Sequence, residues 1–153
     1  MPGNEDPGGI MNAGTMTIVR STISGNEGDG WGGIRTVGAL TITASIVTGN
    51  EAYGEASNCA GLFTSGGYNL LGSDCADSAT ATDIAADDPL LRPLARIGGL
   101  TATMAPRPVS PATDAIPIGS ELCPAAGTTD QRGLPRPREA GCEIGSVERQ
   151  PTS

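Results

Sequence analysis

The sequence predicts an all-β chain: a short parallel β-helix of about three coils, closed at its C-terminal end by an irregular segment stapled with disulfides. Three observations lead there. One stretch of the chain recurs at a fixed offset. The apolar positions inside each copy alternate with period two. The composition is rich in Gly (23) and Pro (12) and poor in aromatics (3%), so the core must come from Ile, Leu, Val, Met and Ala.

Residues 8–27 read GGIMNAGTMTIVRSTISGNE, and residues 32–51 read GGIRTVGALTITASIVTGNE. The offset is 24 with no gap, and ten of the 20 positions are identical. A period of this size implies stacked structural units. Thr15-Met16-Thr17-Ile18 and Ala39-Leu40-Thr41-Ile42 alternate outward and inward like strands. Ile10/Ile34, Met16/Leu40, Ile18/Ile42 and Ile23/Val47 stay apolar in both copies and are expected to face a common interior. Gly14/Gly38 and Gly25/Gly49 are expected at corners needing positive φ. A leucine-rich repeat has a similar period but needs several regularly placed Leu per unit, and each unit here has at most one. Short strands separated by Gly corners instead make a parallel β-helix, with coils about 4.8 Å apart.

The coils are expected over residues 1–75. After Glu51 the period loosens, and residues 52–75 are expected to form a third coil with an inserted loop. That loop, 52–64, contains Cys59, and the coil resumes at Gly66-Gly67-Tyr68-Asn69-Leu70-Leu71. Residues 76–148 carry no repeat. Asp88-Pro89-Leu90-Leu91-Arg92-Pro93-Leu94 is too Pro-rich for a helix or a central strand. An irregular wrap over the last coil is expected, with a final strand near 143–147, all in the same domain. The tail 149–153 is expected to be disordered. Gly3-Asn4-Glu5 looks like the end of a coil, so upstream coils of a longer parent chain are expected neighbours.

The net charge of -8 argues against nucleic acid as a partner. All nine basic residues are Arg. Without His or Lys, the commonest general base and zinc ligand are missing, as are Schiff-base and P-loop chemistry. The four Cys form no Cys-x-x-Cys pair, which disfavours zinc and thioredoxin chemistry. They suggest two disulfides and export to an extracellular or cell-surface location. Cys59–Cys75 would close the inserted loop and is expected to stabilise by about 3 kcal/mol, and Cys123–Cys142 would close the C-terminal segment. MPGNEDPGGIMNAG is not a signal peptide. No apolar run approaches the ~18 residues of a membrane span.

Gly25, Asn26, Gly49 and Asn50 form the structural corner, where stacked Asn can build an amide ladder. Glu27, Glu51 and Asp29, with Asp6 and Glu55 nearby, are the candidate Ca²⁺ ligands on an acidic edge. The simpler alternative is that these carboxylates splay into water. A carbohydrate-active enzyme, a lyase or hydrolase, needs paired carboxylates or an acid–base cluster on one outer face. Asp87-Asp88 and Asp130/Arg132 are the candidates, with turn and capping roles as alternatives. Thr15/Thr17, Thr41/Thr43 and Thr101/Thr103 read as exposed strand residues rather than an ice-binding array. Trp31, Tyr53 and Tyr68 can stack on a sugar or simply shield coil ends. No catalytic residue and no cofactor is assigned beyond the Ca²⁺ candidates.

The repeats GGIMNAGTMTIVRSTISGN and GGIRTVGALTITASIVTGN resemble the coils of bacterial surface proteins with the choice-of-anchor Q domain, which are distantly similar to polymorphic outer-membrane proteins. SGGYNLLGSDC, DPLLRPLARIGGLTATMAPRPVSPATDA and DQRGLPRPREAGCEIGSVE follow that family's order. The resemblance spans roughly residues 8–148. Ile116, Ile97 and the closing Ile144-Gly145-Ser146-Val147-Glu148 depart from the family pattern. The resemblance implies a right-handed parallel β-helix on an exported protein, with no catalytic residues to carry over. The expected role is a non-catalytic stalk or adhesion module, binding a carbohydrate or a host or cell-surface protein. The alternatives are the carbohydrate-active enzyme, Ca²⁺-dependent or not, and a truncated fragment without its own role.

Overall fold

The computed structural model describes residues 6–150, and apart from one 3-10 turn at Ser73–Ser78 their regular structure is short β-strands. The first repeat supplies β1 (Ile10–Asn12), β2 (Thr15–Val19), β3 (Thr22–Ile23) and β4 (Glu27–Gly28). The second supplies β5 (Ile34–Thr36), β6 (Ala39–Thr43), β7 (Ile46–Val47) and β8 (Glu51–Ala52). Each strand of the first pairs in parallel with its counterpart 24 residues on: Ile10 with Ile34, Met16 with Leu40, Ile18 with Ile42, Ile23 with Val47, Glu27 with Glu51. The register keeps like residues opposite one another, so a one-residue slip would turn every inward side chain out.

The third repeat differs from the expected one. Residues 52–64 are not a loop. β9 (Glu55–Ala56) folds back antiparallel on β8 through Tyr53 and Gly54, both at positive φ (53° and 78°). β10 (Cys59–Ala60), β11 (Thr64–Ser65) and β12 (Leu70–Leu71) then extend the sheets of β5, β6 and β7, and β13 (Ile84–Ala85) adds beside β12. The third repeat therefore enters the stack at Ser57-Asn58-Cys59, not at Gly66: Gly33 and Ile34 donate their N–H groups to the carbonyls of Ser57 and Asn58, each at 2.8 Å.

The corners also need correction. Gly25 and Gly49 have φ of 72° and 74°, but Gly14 and Gly38 are not left-handed. Gly38 is needed for a different reason: a Cβ there would run into the carbonyl oxygen of Gly14. The second left-handed corner is formed by Arg20, Ala44 and Tyr68 (φ 47°, 51° and 54°), spaced 24 residues apart.

The inner core is Ile18, Ile23, Ile34, Leu40, Ile42, Val47, Leu71 and Cys75, with Ile10 and Met16 half-buried at its margin. A second apolar cluster joins the repeats to the C-terminal segment. Ala44, Ile46 and Leu70 pack against Ala112, Ile116, Cys123, Cys142 and Ile144. The β3–β7–β12–β13 sheet is thus covered on both faces. Burying an Ile or Leu side chain fully contributes about 1.5–3 kcal/mol, so this second layer is a substantial attachment.

The C-terminal segment consequently runs along the flank of the stack and does not sit only over its last layer. Gly145 N–H donates to Ala44 O (2.9 Å), Ser146 N–H to Thr22 Oγ1 (3.1 Å), and Arg20 Nη2 to Leu122 O (2.8 Å). Within it, β14 (Ile116–Pro117) pairs antiparallel with β17 (Gly141–Cys142), and β15 (Thr128–Thr129) with β16 (Pro135–Arg136). The strand expected near 143–147 is absent, because that backbone is engaged elsewhere: Ile144 N–H donates to Ala112 O (2.9 Å), and Glu143 O and Gly145 O accept from Arg136.

Disulfides join Cys59 to Cys75 and Cys123 to Cys142 across sequence separations of 16 and 19. Arg149 and Gln150, expected in a disordered tail, are half-buried and hydrogen-bonded to Glu139 and Glu148. Gly3-Asn4-Glu5 and residues 151–153 lie outside the described residues. Among the described residues no helix is long and apolar enough to cross a membrane.

Candidate functional site

The Gly-Asn-Glu corner is a hydrogen-bonded ladder. Asn26 Nδ2 donates to Asn50 Oδ1 (2.9 Å), Asn50 Nδ2 to Asn58 Oδ1 (3.1 Å), and Asn58 Nδ2 to Asp74 Oδ1 (2.9 Å). Each acceptor side chain also takes the backbone N–H of the residue below it, at 3.2, 2.9 and 2.6 Å in the same order. A second ladder runs from Ser21 N–H to Ser45 Oγ, from Ser45 N–H to Asn69 Oδ1, and from Asn69 N–H and Nδ2 to Asp83 Oδ1, all at 2.8–3.0 Å. Both end on a carboxylate, which accepts but cannot donate when ionised.

The three carboxylates proposed for Ca²⁺ diverge from this corner. Glu27, Glu51 and Asp29 are all exposed. Glu27 and Glu51 are register partners. Glu27 and Asp29 line a shallow recess of about 300 Å³ with Asp6, Pro7, Gly8 and Gly28, and Glu51 lies outside it. Like charges placed opposite each other on neighbouring strands are unfavourable, and exposure to water relieves that here.

The densest chemistry lies in the C-terminal segment, in a buried network of charges. Asp130, Arg136, Glu143 and Glu148 are between 0% and 7% exposed. Asp130 accepts five hydrogen bonds: from Arg132 N–H (2.8 Å) and Leu134 N–H (3.2 Å) on Oδ1, and from Arg132 Nε (2.9 Å), Arg132 Nη2 (2.7 Å) and Glu148 N–H (3.0 Å) on Oδ2. Arg136 Nε lies 3.5 Å from Glu148 Oε2. The two oxygens of Glu148 take the N–H groups of Arg138 and Glu143, each at 3.1 Å. Burial pulls the Arg136 guanidinium down from its ordinary value, and the carboxylates of Glu148 and Asp130 oppose that fall.

Beside the network opens a polar cleft of about 550 Å³, lined by Arg20, Ser21, Thr22, Thr129, Asp130, Gln131, Arg136 and Ser146. It is the nearest arrangement to the acid–base cluster that carbohydrate chemistry requires. Asp130 is its sole carboxylate, and all its bonds are to the protein itself. Burial raises the Asp130 pKa, but the Arg132 side chain and three backbone N–H groups outweigh it and leave it lowered. A carboxylate held ionised and saturated is a poor general acid, and glycosidic cleavage uses two. Arg20 could not be singled out beforehand, because the corner it occupies has no shared side-chain type.

Asp83, at the end of the second ladder, is shifted the same way: hydrogen bonds from Ser65, Thr80 and Asn69 outweigh the rise caused by burial. The folded chain thus binds these protons more weakly than the unfolded chain does. The stabilisation is present above the unfolded value near pH 4 and is lost as pH falls through the folded value. Tm is expected to drop in acid below about pH 4, more steeply in the wild type than in Asp83→Asn. Parallel Tm-against-pH curves would contradict the assignment.

The remaining sequence candidates take structural positions, and Thr103, expected on an exposed strand, is instead 3% exposed and bridges to Ala95. Asp87 and Asp88 accept the N–H groups of Ser73 and Leu90, each at 2.8 Å. Thr17, Thr41 and Thr64 share one register, whereas Thr15 pairs with Ala39 and Thr43 with Val19. Trp31 carries the Arg35 guanidinium 3.7 Å from its ring centre. Tyr53 is 76% exposed, and Tyr68 packs against the second apolar cluster. Compared with protein-family models, curated proteins and solved structures, the chain has no significant match.

Proposed function

We propose that the chain is a non-catalytic extracellular module, a right-handed parallel β-helix within a bacterial secreted or cell-surface protein, serving as a stalk or adhesion surface. The observation that carries the reading is the 24-residue register with its two hydrogen-bonded ladders. Such stacking extends in one dimension and offers long outer faces, which suits display and contact better than chemistry. The two disulfides favour an oxidising compartment. The polar cleft at Arg20 and Gln131 is the natural place for a carbohydrate or a protein partner to seat, through hydrogen bonds rather than apolar burial.

The resemblance to choice-of-anchor Q surface proteins points the same way, and the saturated state of Asp130 weighs against the lyase or hydrolase alternative. The test is direct. The oxidised chain is incubated with acidic and neutral polysaccharides, with and without calcium, and reducing ends and unsaturated uronides are measured. No turnover is expected, and retention on an immobilised polysaccharide or on bacterial or host cells is. Turnover abolished by Asp130→Asn would reverse the reading.

A further inference from the structure

We propose that Asp114, Glu139 and Glu143 hold a divalent cation, calcium by the chemistry of the donors. The pairing of β14 with β17 brings the residues just before one strand and around the other together. One carboxylate oxygen from each of the three lies within 4.8 Å of the others. Calcium takes oxygen ligands at about 2.3–2.6 Å, so two ligands of one ion stand up to about 5 Å apart. The donors are all hard oxygens, the preference of calcium rather than of zinc or copper.

An independent observation concerns Glu143. It is 1% exposed, and its buried Oε1 receives no hydrogen bond. A carboxylate taken out of water normally finds donors or a cation. The charges around it point to a cation. Glu148 is paired with Arg136, and Glu139 with Arg149 at 2.8 Å. Asp114 and Glu143 have no such partner among the described residues, and a divalent ion bound between them, with Glu143 ionised, would supply one to both. Asp114 Oδ1 accepts the Gly141 N–H at 2.9 Å, which fixes its carboxylate, while the exposed Glu139 leaves one side of the ion open to water.

This site is separate from the acidic edge of Glu27, Asp29 and Glu51, and the experiment distinguishes them. The full oxidised chain, freed of metal, is unfolded thermally in EDTA and in calcium chloride at neutral pH. Tm is expected to rise by about 5–10 °C once free calcium exceeds its Kd about a hundredfold. Glu143→Gln and Asp114→Asn should each abolish the rise, Asp114→Asn being the gentler change because an Asn can still accept the Gly141 N–H. The double variant Glu27→Gln/Glu51→Gln should keep it. No rise in the wild type, a rise that survives Glu143→Gln and Asp114→Asn, or a rise lost in the Glu27/Glu51 variant would each overturn the proposal.

Discussion

Arg136→Met is expected to destabilise the chain by about 3–5 kcal/mol. The guanidinium is 2% exposed and answers three groups at once: the Glu148 carboxylate and the carbonyls of Glu143 and Gly145. Methionine fills much of the same volume, so the loss is electrostatic rather than a cavity. Glu148 would remain buried, held only by backbone N–H groups, with Glu143 beside it. One partner removed from a buried pair leaves an uncompensated charge, which is the expensive outcome. For a chain of this length each kcal/mol corresponds to about 2–4 °C in Tm, so a fall of roughly 10 °C is expected. Arg136→Lys should recover only part of it, since an ammonium cannot span the same fork of acceptors. A loss of unfolding free energy below about 1 kcal/mol in urea for Arg136→Met would mean the network is not structural.

Asn50→Ala should cost about 2–4 kcal/mol, because several groups lose partners in a dry site. Asn50 is 1% exposed. Its oxygen accepts from the Asn26 side chain and backbone, and its amide donates to Ile23 O (2.9 Å) and to Asn58 Oδ1. Asn26→Ala removes the half-buried end of the same ladder and should cost about 1 kcal/mol or less. Asn50→Asp is the sharper variant. It keeps the size and the acceptor for Asn26 but sets an oxygen against Asn58 Oδ1 and Ile23 O, and it should be no more stable than Asn50→Ala. Chemical denaturation of the three side by side checks the order; equal stabilities would mean the ladder is incidental.

These two sites differ in how far they could be read from the sequence. Asn26 and Asn50 repeat at the 24-residue offset, so their stacking followed from the period alone. The inward column of Ile18, Ile42, Ile23 and Val47 followed from alternation. Alternation failed at Ile46-Val47 and Leu70-Leu71. Consecutive apolar residues mark a strand buried on both faces, but the covering partners, Ile116 and Ile144, lie far along the chain and carry no period. The corner at Arg20, Ala44 and Tyr68 was hidden because backbone shape recurs there without a common side chain. Gly66-Gly67 misled the start of the third repeat, since the feature that propagates is the amide of Asn58. Asp114 and Glu143 become neighbours only through the antiparallel pairing of β14 with β17, which local pattern does not reveal.

The two ladders have a direction, and Asp74 and Asp83 stand at its end. Each amide passes a proton donor onward, and each carboxylate receives without passing anything on. A further identical layer laid on that side would meet acceptor against acceptor. The ladders therefore end chemically at these two carboxylates, where an amide at either position would have kept a donor to hand on.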